Sequence, residues 1–284
     1  MRPKERSSGI LYIVSTPIGN LEDISPRALR ILGEARLIAA EDTRQTRKLL
    51  SHFDIHTPML SYHEHNKLTR LDEVLAALSQ GDVALVSDAG TPGLNDPGYE
   101  LVRAAIAAGF PISPIPGPSA PIAALVASGL PTEAFLYLGY LPRKASQRRD
   151  LLAHVASLPY TLIFLETPHR LLDALEDMRA TLGERHCAIA RELTKLHEEI
   201  YRGSLDAAEE HFRAKKPRGE FTLVVAGSPT QPQPRWTEEE LRSALQSGLD
   251  QGESPSNLAR RLAMLSGWGR REIYRMVGNK NTGD

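Results

Sequence analysis

The sequence contains one cysteine, Cys187, in 284 residues. A single thiol excludes an internal disulfide framework, which is typical of proteins that work in a reducing compartment. The longest apolar run, near residues 120–130, is shorter than the ~18 residues that a membrane helix needs. The apolar stretch at 10–14 is too short for the core of a signal peptide. We therefore predict a cytoplasmic protein with no membrane partner.

A strong net charge is also absent, because 34 Lys and Arg residues oppose 35 Asp and Glu residues and leave −1 at pH 7. No global field therefore attracts nucleic acid. The basic residues instead form local clusters, within 143–149, 213–218 and 260–275. One such cluster is usually solvated surface, but three in a neutral protein favour a polyanionic partner. Arg260 and Arg271 of the third cluster are candidate substrate contacts.

Several motifs that would identify a class of enzyme are missing from the sequence. The sequence has no Walker loop and no G-x-G-x-x-G fingerprint after its first predicted strand, which disfavours a Rossmann-type nucleotide or methyltransferase site. It has no G-x-S-x-G nucleophile elbow, and Cys187 lies in an apolar strand pattern. Nucleophilic catalysis therefore has no obvious carrier.

Short β-rich runs alternate with helical patterns, which predicts the fold class α/β. The runs lie at 11–14, 37–40, 83–86, 112–115, 135–138, 161–165, 188–190, 200–202 and 221–225. Ser25-Pro26 and Asp96-Pro97 each predict the start of a helix, and the second helix is expected to end at Gly109. We predict two α/β domains, residues 1–117 and 118–230, with strand-end loops that converge on a ligand cleft.

The last part of the chain predicts a separate small element. Residues 228–235 are rich in proline and read as a linker. Thr237 and Glu240 form a capping box, Ser254-Pro255 opens a second helix, and a third helix is expected at 271–277. We predict a helix-turn-helix-like appendage over 236–280. A small helical bundle packed on the body is an equally good interpretation.

Three loops with unusual residues directly follow predicted strands, where open α/β sheets bind ligands. Ser-Asp-Ala-Gly-Thr-Pro-Gly-Leu-Asn-Asp-Pro-Gly at 87–98 gives the strongest signal, since its glycines permit close approach and Asp88 can accept hydrogen bonds. Pro-Gly-Pro-Ser-Ala at 116–120 and Thr-Pro-Ile-Gly-Asn at 16–20 are the others. The structural alternatives are a long turn with a helix cap at Asp96 and a rigid hinge.

Charged motifs follow other predicted strands. Asp42 of Glu-Asp-Thr-Arg is either a helix cap or a functional carboxylate, and Arg44 is suited to grip a phosphate. His63-Glu64-His65-Asn66 lacks the spacing of a zinc site, so we expect no metal and interpret this loop, with His63 and Asn66, as facing a substrate. The charged groups of 166–170, including Arg170, and of 192–195 are expected to line the cleft.

Four of these motifs together carry a family resemblance. Leu-Tyr-Ile-Val-x-Thr-Pro-Ile-Gly-Asn-Leu-x-Asp-Ile at 11–24, Ala-Glu-Asp-Thr-Arg at 40–44, Ser-Asp-Ala-Gly-Thr-Pro at 87–92 and Pro-Gly-Pro-Ser-Ala occur in order. The chain resembles the bacterial 16S ribosomal RNA cytidine 2′-O-methyltransferases of the tetrapyrrole methylase superfamily. The resemblance covers residues 10–280, and its one departure is Ser15, where the family pattern has proline.

The resemblance implies S-adenosylmethionine bound without metal between two α/β domains, a homodimer, and small-subunit ribosomal RNA as the partner. Cofactor contacts carried over by motif fall on nine residues: Pro17, Ile18, Asp88, Thr91, Ser119, Ala120, Leu165, Gly219 and Glu220. A ribose hydroxyl is a weak nucleophile, so a base would help, and the candidates are Asp42, Glu192 and Lys195. A lysine would need a lowered pKa for that role.

Two alternatives remain open. Another enzyme of the superfamily would methylate a small tetrapyrrole, although the basic clusters and helical tail are not needed for such a substrate. The second alternative is a catalytically silent RNA-binding protein with the same fold. A cofactor-binding assay distinguishes it from an enzyme.

Overall fold

The computed structural model describes residues 9–229 and 236–278. Most of the predicted linker at 228–235 lies outside these ranges, as do the outer limits 1, 230 and 280 of the predicted domains. Tertiary contacts divide the chain into two compact units, Met1–Ser228 and Pro229–Asp284. The predicted boundary at 117/118 falls inside the first unit and stays a prediction.

The first sheet is built from parallel strands in the order β3-β2-β4-β1-β5. Its strands are β1 Leu11–Val14, β2 Leu37–Ala40, β3 Met59–Ser61, β4 Val83–Val86 and β5 Ile112–Ile115. Four of them were predicted, whereas the three-residue β3 was missed. All four residues of β4 are buried, because helices cover both faces of a parallel sheet.

Four helices cover this sheet: α1 Pro26–Glu34, α2 Thr43–His52, α3 Lys67–Leu78 and α4 Tyr99–Ala107. Ser25 caps α1 as predicted, with its hydroxyl accepting the Ala28 N–H. The predicted helix start at Asp96-Pro97 is wrong, since α4 begins at Tyr99 after Gly98. Gly98 has φ +148°, a backbone turn that favours glycine, so the chain turns once more before the helix.

The second sheet is mixed, with the order β6-β7-β10-β8-β9. Its strands are β6 Phe135–Tyr140, β7 Thr161–Glu166, β8 His186–Arg191, β9 Glu199–Ser204 and β10 Phe221–Val225. β6 pairs with β7 in parallel, and the other pairs are antiparallel. The two sheets confirm the predicted α/β fold class.

Helices α5 Ala120–Ser128, α6 Ala145–Val155, α7 Leu171–Leu182 and α8 Leu205–Ala214 cover the second sheet. Side chains alternate between the faces of a strand, so β7 contributes to two cores. Leu162 and Phe164 pack with residues of α6, α7 and α8, whereas Ile163 packs with Ala124 and Leu125 of α5. α5 therefore lies on its own face of the sheet.

The second unit contains α9 Glu238–Asp250, α10 Pro255–Ser266 and α11 Arg270–Gly278. Thr237 and Glu240 form the predicted capping box. The helices enclose a small apolar core, which includes Leu241, Leu258 and Ile273. No helix in the described ranges is long and apolar enough to cross a membrane.

Candidate functional site

The three strand-end loops singled out in the sequence form one surface. Thr16 and Gly90 exchange backbone hydrogen bonds of 2.9 and 3.1 Å. Ser15 Oγ lies 3.0 Å from Thr91 Oγ1, and the Thr91 hydroxyl donates to the Pro118 carbonyl at 3.3 Å. The loops after β1, β4 and β5 are thus joined through Thr91.

Ser15, the departure from the family pattern, is accommodated at this junction. Its hydroxyl is the group that lies near Thr91. A Cβ on Gly117 would lie only 2.9 Å from the Ser15 Cβ, so the loop after β5 needs a glycine there. The substitution therefore leaves the loops in contact.

These loops and the strand ends of the second sheet enclose a small cavity of about 240 Å³. Seven of the nine predicted cofactor residues line it: Ile18, Asp88, Thr91, Ser119, Ala120, Leu165 and Glu220. The other lining residues are Glu41, Ala89, Gly90, Leu94, Asn95, Asp96, Pro121, Tyr137, Tyr140, Phe221 and Thr222. The sequence prediction therefore identified residues from both sheets that meet at one place.

The small cavity is acidic. Glu41, Asp88, Asp96 and Glu220 line it, and among the described residues no Lys, Arg or His does. Burial raises the pKa of the Asp96 carboxyl to about 6, with a further contribution from the Glu41 charge, while a hydrogen bond from Ser87 opposes the shift. Burial also raises the pKa of both Glu41 and Asp88. Such a cavity suits a cation.

Two tyrosines complete its wall. Burial raises the pKa of Tyr137 to about 12 and also raises the pKa of Tyr140, so both phenols stay protonated at neutral pH. Aromatic faces attract cations, which reinforces the effect of the carboxylates.

A large cavity of about 510 Å³ adjoins the small one. The two share four lining residues, Ile18, Asp88, Ala89 and Glu220. The large cavity adds Thr16, Pro17, Gly19, Leu21, Gln45, Lys48, Leu49 and Lys195. It combines apolar walls with two cationic side chains, so its chemistry differs from that of the small cavity.

Asp42, a candidate base, is occupied by local contacts. It caps α2 by accepting the Arg44 N–H at 2.8 Å, and its other oxygen lies 2.7 Å from the Arg44 guanidinium. The hydrogen bonds from Arg44 lower the pKa of the Asp42 carboxyl to about 2. Asp42 lies outside both sets of lining residues, and the Arg44 side chain is 85% exposed.

Glu192 and Lys195, the other candidate bases, form a triad with Glu220. Lys195 Nζ lies 3.0 Å from Glu192 and 2.8 Å from Glu220. Burial alone would lower the pKa of Lys195, but hydrogen bonds to Glu220 and Glu192 outweigh it, and the pKa is raised. Burial likewise opposes the lowered pKa of Glu192, where hydrogen bonds from Glu220 N–H and Lys195 dominate. Lys195 lines the large cavity.

Gly219, a predicted cofactor contact, has another local role. It has φ +87°, and a Cβ there would lie 2.4 Å from the Glu192 Cγ. Gly219 therefore makes room for Glu192 and lies outside both sets of lining residues. The neighbouring Glu220 lines both cavities.

Candidate substrate residues are placed at different sites. The His63 N–H donates to Asn66 Oδ1 at 2.8 Å, and the Asn66 amide donates to the Ser61 carbonyl at 3.1 Å, so Asn66 orders this loop. A small electrostatic effect of His63 lowers the pKa of the Glu41 carboxyl, against the net rise that burial causes. Arg170 pairs with the buried Glu166 at 3.2 Å and donates to the Leu141 carbonyl, and its role as a substrate contact stays a prediction.

The sequence prediction missed several lining residues. In the Glu-Asp-Thr-Arg motif the prediction names Asp42 and not the neighbouring Glu41. It interprets Asp96 as a helix cap. Tyr137 and Tyr140 come from β6, where neither the apolar strand pattern nor a motif marks them.

In residues 9–229 and 236–278, no group of three or more His, Cys, Asp or Glu side chains is arranged to hold a metal ion.

Comparisons with known proteins place this chain in a family. The sequence profile of the tetrapyrrole (corrin/porphyrin) methylases matches residues 10–209. A protein of Synechocystis called ribosomal RNA small subunit methyltransferase I is 49% identical over 270 residues, which is 94% of this chain and 97% of the relative. A protein of the same name from Halalkalibacterium halodurans is 54% identical over 233 residues, 81% of each chain.

Solved structures share the fold. The uroporphyrin-III C-methyltransferase of Thermus thermophilus, crystallised with S-adenosyl homocysteine, superposes with a TM-score of 0.53 at 19% identity. The match covers 76% of this chain and 97% of that enzyme.

Proposed function

This chain belongs to the tetrapyrrole methylases, and we propose that it transfers a methyl group from S-adenosylmethionine to the ribose 2′-oxygen of a cytidine in small-subunit ribosomal RNA. The names of its relatives support ribosomal RNA methylation. The family resemblance of the strand-end motifs supports the ribose of a cytidine as the acceptor.

The observation that carries the proposal is the charge of the small cavity. When bound, S-adenosylmethionine supplies a methyl group that its positive sulfonium already activates. Four carboxylates and two tyrosine rings, with no basic side chain among the described lining residues, match that cation. The joined loops after β1, β4 and β5 supply backbone groups that orient it.

The large cavity is suited to the nucleotide. Leu21 and Leu49 offer apolar contact to a base, and Lys48 offers a positive charge to a phosphate. The four residues common to both cavities mark the place where ribose and methyl group would meet. Glu41 and Asp96, which line the small cavity but not the large one, disfavour a phosphate in the small cavity, and Lys48 favours it in the large one.

The base that assists the 2′-hydroxyl is a separate question. Asp42 and Glu192 remain candidates, whereas the raised pKa of Lys195, which lines the large cavity, favours a fixed cation over a base. Asp96 joins them, because a carboxyl group with a pKa of about 6 is close to the operating pH of a general base.

The second unit supplies an RNA surface in this proposal. α10 and α11 together carry five arginines, including Arg260 and Arg271, against a single acidic residue, Glu272.

A homodimer in the cytoplasm also remains a prediction. Ile122 and Val126, one turn apart on α5, are 45% and 69% exposed and offer an apolar face to a second copy.

The proposal is tested on small ribosomal subunits from a strain that lacks this protein. Purified protein and labelled S-adenosylmethionine should methylate these subunits far better than free cytidine. Nuclease digestion with mass spectrometry should place the methyl group on the sugar. A methyl group on the base, or equal activity on a porphyrin-like substrate, would contradict the assignment, and an absence of cofactor binding would indicate a silent RNA-binding protein.

A further inference from the structure

Asn95 and Tyr137 meet across the wall of the small cavity. The Tyr137 hydroxyl donates to Asn95 Oδ1 at 2.6 Å, and both residues line the cavity. Asn95 lies in the loop between β4 and α4, whereas Tyr137 lies in β6 of the second sheet. The contact therefore closes the cavity between parts of the chain that belong to different sheets.

The Asn95 side chain also fits into an irregularity of β6. The pairing of β6 with β7 shifts register between Tyr137 and Gly139, and Gly139 has φ +66°. A Cβ on Gly139 would lie 2.4 Å from Asn95 Nδ2. The bulge thus supplies both the hydroxyl that binds Asn95 and the space that receives its amide.

The loop that carries Asn95 has an unusual backbone. Gly93, Asn95 and Gly98 have φ values of +84°, +64° and +148°. Glycine adopts such values readily, but they are unfavourable for a residue with a side chain, even though asparagine tolerates them better than most. Contact with Tyr137 offsets this preference, so the closed position of the loop depends on the side chain of Asn95.

A wall that opens at Asn95 would give a ligand more room than the small cavity alone offers. The cavity volume of about 240 Å³ is below the ~300–1,000 Å³ of pockets that hold drug-sized ligands. The neighbouring wall residue Asp96 is partly buried and also lines the cavity. Opening at Asn95 would both admit a ligand and displace Asp96.

We propose that Asn95 and Tyr137 are positioning residues, a latch that holds the β4–α4 loop closed over bound S-adenosylmethionine and keeps Asp96 directed at it. The latch opens for cofactor exchange and closes during methyl transfer. This role rests on the proposed function, because the cofactor is the ligand that the loop encloses.

The test measures dissociation of S-adenosylmethionine from the full chain by stopped-flow fluorescence or surface plasmon resonance. Tyr137→Phe removes the hydroxyl, and Asn95→Gly removes the side chain while allowing the backbone its positive φ. Loss of one neutral hydrogen bond should raise the dissociation rate by about 3- to 10-fold. The double variant should be no faster than the faster single variant, because both remove the same contact.

Tyr160→Phe is the matched control, since Tyr160 is a half-exposed tyrosine outside the lining residues of both cavities. It should leave the dissociation rate unchanged. Gly139→Ala should reproduce the effect of Asn95→Gly with the Tyr137 hydroxyl retained, because its Cβ occupies the space of the Asn95 amide. Unfolding midpoints measured alongside separate a change in the latch from a general loss of stability.

Wild-type protein that folds and binds no S-adenosylmethionine would overturn the proposed function, and the latch with it. Wild-type protein that binds the cofactor, with unchanged dissociation in Tyr137→Phe and Asn95→Gly, would overturn the latch alone. Additive effects in the double variant, or an equal increase in Tyr160→Phe, would also contradict it.

Discussion

Glu41 and Asp88 fasten two strand-end loops to each other. The Asp88 N–H donates to Glu41 Oε2 at 3.2 Å, and Asp88 Oδ1 accepts the N–H of Asp42, the residue after Glu41, at 3.0 Å. Both carboxylates line the small cavity. The acidic groups that face the ligand therefore also set the distance between the ends of β2 and β4.

Replacing Asp88 should impair cofactor binding through both roles. Asp88→Ala removes a charged acceptor, whose loss costs about 1.5–3 kcal/mol, or roughly 10- to 150-fold in affinity. Asp88→Asn should lose less, because the amide oxygen still accepts the Asp42 N–H. Calorimetry with S-adenosylmethionine measures both, and Asp72→Ala on the exposed face of α3 is the control. Equal affinity of Asp88→Ala and wild type would contradict this assignment.

Cofactor affinity should depend on pH through Asp96. Burial raises the pKa of Asp96 to about 6, so its carboxylate is charged at pH 8 and becomes protonated as the pH falls through 6. Affinity for the cationic cofactor should therefore decrease between pH 8 and pH 5. Asp96→Asn should bind more weakly at pH 8 and show a flatter profile, with remaining slope from Glu41 and Asp88. An identical slope in wild type and Asp96→Asn would exclude Asp96.

RNA affinity should depend on exposed arginines of the second unit. Arg260→Ala and Arg271→Ala should each weaken RNA binding, and each should reduce the slope of log affinity against log salt by about 1. Arg242→Ala is the control, because Arg242 pairs with Glu238 at 2.6 Å on α9. Removal of the chain after Ser228 should keep cofactor affinity. Unchanged RNA affinity and salt slope in these variants would leave the second unit a structural role.

Lys195 should act as a fixed cation. Its pKa is raised, since hydrogen bonds to Glu220 and Glu192 outweigh its burial, and a general base needs a neutral amine. Lys195→Arg should therefore retain most of the activity, whereas Lys195→Met leaves two carboxylates without their partner and should reduce it. Methylation rates against pH provide the measurement. A loss of about 100-fold or more in Lys195→Arg would restore the case for a lysine base.

The strand-end loops could be predicted because the sequence marks them twice. Each follows an apolar strand directly, and each combines glycine or proline with a polar side chain such as Thr16, Asp88 or Ser119. Parallel strands then bring their carboxyl ends to one edge of the sheet. Five of the seven predicted cofactor residues at the small cavity lie in these loops, namely Ile18, Asp88, Thr91, Ser119 and Ala120.

The remainder depends on tertiary contacts that local patterns do not contain. Asp96-Pro97 resembles a helix start, yet Gly98 delays the helix and leaves Asp96 in the cavity wall. Tyr137 reads as an ordinary strand residue, and the contact with Asn95 exists only after two sheets have packed. β3 has three residues, too few for a pattern to be recognised.

The acidity of the small cavity also bears on how a reaction cycle ends. Loss of the methyl group removes the positive charge from sulfur, so the spent cofactor is more negative by one unit than the donor. Glu41, Asp88, Asp96 and Glu220 then lose much of their attraction for it, and Coulomb interactions in a partly buried site are large enough to matter. We expect the spent form to bind more weakly than the donor, which competition between the two measures directly. The same carboxylates that attract the donor would thereby favour release of the spent cofactor, and its weaker binding would reduce product inhibition.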